Sequence, residues 1–211
     1  MIDFLMKNKN YLILVFTIVY LAAFTVNGIL WGNYEFLYYT VLMGVLIYSI
    51  IILHQRLHLA FFILFNLSIL GFLHLLGGNL YFGQIRLYDF YLIPAIFRYD
   101  NFIHAYATFI ATVALYSLLA NFIDVEIKKR YLIFAIILIL MAIGLGTINE
   151  LVELFAVVFF GVAERVGSYF NNALDLLFNT IGAVLATVVI YFYRERPQFI
   201  QKINGQTGKN N

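Results

Sequence analysis

The sequence predicts an all-α protein, a polytopic membrane bundle of about six transmembrane helices with cytoplasmic N- and C-termini. Three observations carry this expectation. Hydrophobic residues make up 64% of the chain and charged residues 11%, and the mean hydropathy of +0.91 lies far above that of a water-soluble domain. Apolar runs of roughly 20 residues, enough to cross a hydrocarbon core about 30 Å thick as a helix, recur along the chain. Lysine and arginine gather in alternate connections, the asymmetry expected where one side of a membrane retains them.

The first run, Tyr11 to Leu30, follows Lys7 and Lys9 as a signal peptide would, but it is longer than an h-region and no A-x-A cleavage site follows, so it reads as a retained helix. A second run spans Tyr34 to Leu53 and a third Leu57 to Leu76. Then comes "GGNLYFGQIRLYDFYLIPAIFRY", Gly77 to Tyr99, too long for a simple turn. Its seven aromatics suit an interfacial belt, and the segment is placed to fold over neighbouring polar residues as a lid. The remaining runs are Asn101 to Ala120, Tyr131 to Gly161 and Asn172 to Tyr193, with "ERVGSYFNNALD" as a second outer connection. Nothing alternates as a barrel strand does, and lipid tolerates only backbones that satisfy themselves. Residues 1–196 thus read as a single transmembrane domain and 197–211 as a disordered cytoplasmic tail. Cysteine is absent, which removes disulfide and thiolate chemistry.

With the N-terminus inside, the inner segments collect Lys7, Lys9, Arg56, Lys128, Lys129, Arg130, Arg194, Arg196, Lys202 and Lys209, leaving Arg86, Arg98 and Arg165 outside. The small positive net charge of +2 is an inner-leaflet rim and gives no reason to expect nucleic acid binding. Membrane lipids are the expected surroundings, and the cell membrane the expected location.

Orientation then sets the depth of the polar residues. Asp100 and His104, one turn apart, begin the fourth span on its outer side. Glu150 lies 19 residues beyond Tyr131, roughly 28 Å along the fifth span at about 1.5 Å per residue, with Glu153 one turn further on the same face. Asp175 and Asn179 open the sixth span, and His74 closes the third at "GFLHLLGG". Gly182 and Ala186 continue the Asp175–Asn179 face, as Thr108 and Ala111 continue that of His104, which suits close helix packing. Four spans are therefore expected to deliver His74, Asp100, His104, Glu150, Glu153, Asp175 and Asn179 to one extracytoplasmic depth.

At these residues the sequence resembles the YjdF-like inner-membrane proteins. "RYDNFIH" at 98–104, "NELVE" at 149–153 and "DLLFNTIG" at 175–182 follow their R-Y-D-x-x-x-H, E-x-x-E and D-x-x-x-N-x-x-G pattern, and the H-x-x-G-G-x-x-Y stretch from His74 to Tyr81 is similar to the segment before it. More distantly the order resembles that of VanZ-like proteins, in which many sequences carry glutamine where Glu153 stands. The match covers about Leu57 to Val188 and implies a multi-pass inner-membrane protein without naming a reaction.

Three classes of function fit the polar residues. In the first, a metal-dependent enzyme acts at the outer leaflet on a lipid or lipid-linked substrate. Histidine with several carboxylates suits zinc, manganese or iron. His104, Glu150, Glu153 and Asp175 are then the candidate ligands, His74, His104 and Glu150 the candidate catalytic groups, and Asp100 and Asn179 the candidate substrate contacts. In the second class the same acids carry protons or hold a head group or small molecule. A transporter would need a polar route inward, for which Thr108, Thr112, Thr187, Asn66 and Ser68 are a thin supply, while Asn27 extends the outer cluster. The third class is a satisfied polar network that only fixes helix packing. His54 and His58 flank a short inner turn and read as solvated interfacial residues, and the acids around His74 and His104 argue against a haem slot.

Overall fold

The computed structural model describes residues 8–57, 59–94, 96–119, 122, 130–161 and 169–193. Six helices account for most of them: α1 Lys9–Trp31, α2 Tyr34–Leu57, α3 Phe61–Asn79, α4 Tyr99–Leu119, α5 Tyr131–Phe160 and α6 Tyr169–Tyr193. All six are long and apolar enough to cross a membrane. Large apolar side chains such as Val41, Leu46, Leu140 and Leu185 stand outward on them, more than half exposed. That pattern would be costly in water and is the expected one in lipid.

Most boundaries match the apolar runs, and two differ for physical reasons. Helix α2 continues through His54 and Arg56 to Leu57, so that stretch is helical and not a turn, and α3 starts at Phe61 after the extended Ala60. Helix α6 starts at Tyr169, before the expected Asn172, which adds the buried Asn171 to its first turn. Lys7, His58, Lys128, Lys129, Arg165, Arg194, Arg196, Lys202, Lys209, most of the connection before α6 and the 197–211 tail lie outside the described residues.

The chain divides into two compact units between Tyr99 and Asp100. In the first, α1 packs along α3 through Phe16, Tyr20, Phe24 and Phe72, and Thr17 and Ser68 share a 2.6 Å hydroxyl bond. Gly78 leaves the space that the Phe36 ring occupies. Between α3 and α4 the chain forms two antiparallel hairpins, β1 Tyr81–Phe82 with β2 Ile85–Arg86, and β3 Tyr91–Ile93 with β4 Phe97–Arg98, joined by a 3₁₀ turn at Leu87–Asp89. Arg86 turns inward, 3.5 Å from buried Glu35 and 3.1 Å from Asp89, with its guanidinium near the Phe36 and Tyr88 rings. Burial works against the Arg86 charge, but the Asp89 and Glu35 carboxylates outweigh it and hold the guanidinium above its ordinary value.

In the second unit α5 and α6 pack closely over an aliphatic core of Leu138, Ala142, Ala183, Ala186 and Ile190. Tyr131 at the start of α5 donates to the Thr187 carbonyl. Helix α4 meets α6 at Gly182, where a β-carbon would collide with the Ala105 carbonyl and the Thr108 hydroxyl. The backbones touch there because no side chain intervenes.

Gly182→Leu is therefore expected to destabilise the protein by about 1–3 kcal/mol or more, as overpacking does. Gly144→Leu, on the same unit but with no atom within 4 Å of its β-position, should change little. Thermal unfolding of the two variants in detergent compares them directly. In the first unit Arg86→Met removes the cation facing Glu35 and is expected to cost about 3–5 kcal/mol, the range for breaking a buried pair. Glu35→Gln combined with Arg86→Met should recover part of that loss in the same assay.

Candidate functional site

One imidazole organises the second unit. His104 is 6% exposed and lies on α4 one turn after Asp100, whose Oδ1 is 3.5 Å from Nε2. From α6, Asp175 Oδ1 comes within 3.8 Å of Nε2, and from α5, Glu153 Oε1 comes within 4.0 Å. The other ring nitrogen, Nδ1, faces Glu150 Oε1 at 3.6 Å and Asn179 Oδ1 at 3.3 Å. Four carboxyl groups from three helices thus converge on a single ring, with Asp175 fully buried.

Helical spacing delivers them. Residues four apart share a face, so Asp100 with His104 and Asp175 with Asn179 form two-residue ledges, and Glu150 with Glu153 forms a third. Glycine brings the ledges together. Besides Gly182, Gly146 lies one turn before Glu150 and leaves the room that the Asn179 amide fills.

Three asparagines that the sequence reading passed over orient the acids. Asn171 donates to Asp175 Oδ2 at 2.8 Å and reaches Asp100 Oδ2 at 3.5 Å. Asn101 donates to Asp175 Oδ1 at 3.3 Å. On α5, Asn149 donates to Glu153 Oε1 at 2.8 Å. Their signal was present in the spacing: Asn149 and Asn171 each precede an acid by four residues on an apolar helix. Glu150 differs from the other acids, since among the described residues neither of its buried oxygens accepts a hydrogen bond.

Two overlapping sets of side chains can hold a metal ion, Asp100 with His104 and Asp175, and His104 with Glu150 and Glu153. Within each set one donor atom per residue lies within 4.8 Å of the others. Asp100, expected as a substrate contact, is thus part of a ligand-capable set.

His74 belongs to the first unit. There its Nδ1 shares a 2.5 Å hydrogen bond with the Tyr88 hydroxyl, and its ring packs against Phe36 and Tyr39. Asn27 likewise donates to Asn79 within that unit. The hydroxyls of Thr108, Thr112 and Thr187 donate to carbonyls of their own helices.

No curated protein and no solved structure matches the chain. A family model described as a predicted membrane protein, DUF2238, matches residues 12–196. That stretch runs from α1 to just beyond α6 and contains every residue of the His104 cluster, and the chain belongs to the DUF2238 family of membrane proteins.

Proposed function

We propose that the His104 cluster binds one divalent cation and that the protein uses it as an enzyme on a lipid or lipid-linked substrate. The observation that carries this reading is the spacing around Nε2. Asn179 Oδ1 can only accept, so its 3.3 Å contact with Nδ1 is a hydrogen bond in the tautomer that carries the ring proton on that side, which leaves Nε2 free to bind an ion. Nε2 then faces three carboxylate oxygens at 3.5–4.0 Å. These gaps exceed an N–H···O bond of about 2.7–3.2 Å. They suit an ion held between the atoms, because two metal–ligand bonds of about 2.0–2.2 Å separate the donors by about 3–4 Å.

On this reading Asp100, His104 and Asp175, with one donor atom each within 4.8 Å of the others, supply the ligands, Glu153 approaches the same ring nitrogen, and Asn179 fixes the ring through Nδ1, as acceptors behind metal-bound histidines commonly do. Asp100 and Glu153 are the more exposed of the acids and mark the open side. A bound cation there would polarise a phosphate or ester oxygen and acidify a water. Glu150, whose two buried oxygens accept no hydrogen bond among the described residues and one of which lies 3.6 Å from the same ring, would serve as the proton acceptor. Zinc, manganese and iron suit such a nitrogen and oxygen donor set. The YjdF-like and VanZ-like motifs fall on these same residues, and the distribution of lysine and arginine supports an extracytoplasmic pocket in the cell membrane.

The oxygens of Glu150 also favour a second reading, in which the pocket carries a proton or holds a cationic head group. The threonines below the cluster offer it little, since their hydroxyls are engaged within their own helices.

Elemental analysis of detergent-purified protein is expected to find near-stoichiometric zinc, manganese or iron in the wild type and none in His104→Ala or Asp175→Asn. Folded wild type that stays metal-free after incubation with these ions would overturn the metal reading. Chelation should lower the unfolding temperature of the wild type alone, by the equivalent of about 2.7 kcal/mol for an ion at 100 times its Kd. Glu150→Gln separates the two readings: the enzyme reading expects retained metal with turnover lost, whereas the carrier reading expects loss of pH-driven flux in proteoliposomes.

A further inference from the structure

The segment between α3 and α4 has two chemically different sides. Arg86, Leu87 and Tyr88 are buried, and they hold the segment to its own unit through the Arg86–Glu35 pair and the Tyr88–His74 hydrogen bond. The other side presents Tyr81, Phe82, Ile85, Leu92, Ile93 and Ile96, each 46–69% exposed. Three charged residues occur between positions 80 and 98, and two of them, Arg86 and Asp89, are bonded to each other. An exposed apolar surface of this kind marks contact with a membrane or a partner.

Reach and backbone chemistry select the membrane. The first hairpin starts directly from the last turn of α3, where the Leu80 amide bonds to the Leu76 carbonyl, and the second closes onto α4 through the Tyr99 amide and the Phe90 carbonyl. Strands of two or three residues extend only about 7–10 Å at about 3.3 Å per residue. The polar layer beyond the hydrocarbon is about 5–8 Å deep on each side. Hairpins of that length, starting from the end of a span, have a reach comparable to the depth of that layer. They do not enter the hydrocarbon, because each is a two-stranded sheet with open edges whose amides and carbonyls need polar partners. Tyrosine beside phenylalanine and isoleucine is the composition the interface favours.

We infer that the two hairpins, β1 with β2 and β3 with β4, form a wedge whose outward apolar side chains are immersed in the lipid interface at the end of α3. The partner is bilayer lipid. The inward Arg86 and Tyr88 set which side faces it.

The chain has no cysteine, so Phe82→Cys and Ile96→Cys each give the full-length protein a unique site for a spin label. Both positions are exposed, and neither substitution disturbs the core. In vesicles of phosphatidylcholine and phosphatidylglycerol, power saturation compares collisions with oxygen, which concentrates in lipid, and with a nickel chelate, which stays in water. Immersion predicts an oxygen-to-nickel ratio severalfold above that of the same label free in buffer, at both sites. A ratio equal to that of the free label would overturn the inference, leaving a water-facing surface. Low collision rates with both agents would also overturn it: dipolar broadening that vanishes on dilution with unlabelled protein would assign the surface to a second copy, and its absence to burial within the chain.

Discussion

The second unit is organised by one requirement, that a buried imidazole and the acids around it share their charges inside a medium that solvates none of them. Ionisable side chains on membrane-spanning helices are tolerated where they face protein partners, so α4, α5 and α6 cannot be positioned independently. His104 on α4 needs Asp175 from α6 and Glu153 from α5 within 4 Å, and that distance is available only if the backbones approach closely. Gly182 and Gly146 supply the approach, and Asn101, Asn149 and Asn171 hold the carboxylates in the orientation it requires. Packing and chemistry are at these two glycines one problem, since the room each leaves is filled by the Asn179 amide or by the approaching α4 backbone.

The first unit solves a similar problem with a different device. Its buried charges, Glu35 and Arg86, form an ion pair flanked by aromatic rings, with Asp89 as a second anion for the guanidinium. A guanidinium flanked by carboxylates and rings is a local arrangement that fixes a loop. An imidazole ringed by four carboxyl groups asks for a proton or a cation as well, because like charges this close repel unless something positive lies among them. The difference in chemistry separates a fastening from a site.

The helices were legible because the bilayer imposes a length, and apolar runs of that length leave little choice. Their ends were less so. Polar residues at a boundary need not end a helix, since α2 runs on past His54 to Leu57, and a polar start such as Tyr169–Asn171 looks like loop until its partners are known. The site residues Asp100, His104, Glu150, Glu153, Asp175 and Asn179 stood out as rare polar residues on apolar helices at spacings of three and four. What the spacing could not give was azimuth. Rise per residue places a side chain at a depth but leaves open which neighbour it faces, so Arg86 read as one more outer charge, whereas it points inward at Glu35, and His74 shares a depth argument with His104 yet bonds Tyr88 in its own unit. The asparagines stood out less: Asn149 and Asn171 gain a task only from the acid four residues later, and Asn101 only from Asp175 on another helix, which no spacing within its own helix could show.

The order of the polar residues along the chain bears on how the protein is made. Asp100 and His104 emerge from the ribosome with α4, Glu150 and Glu153 about fifty residues later, and Asp175, the most deeply buried acid, last of all. Helix α4 is therefore synthesised before either of its partners, with two ionisable groups whose pocket is not yet complete. The order of synthesis thus places the residue that contacts both His104 and Asn101, Asp175, on the helix made after the other two.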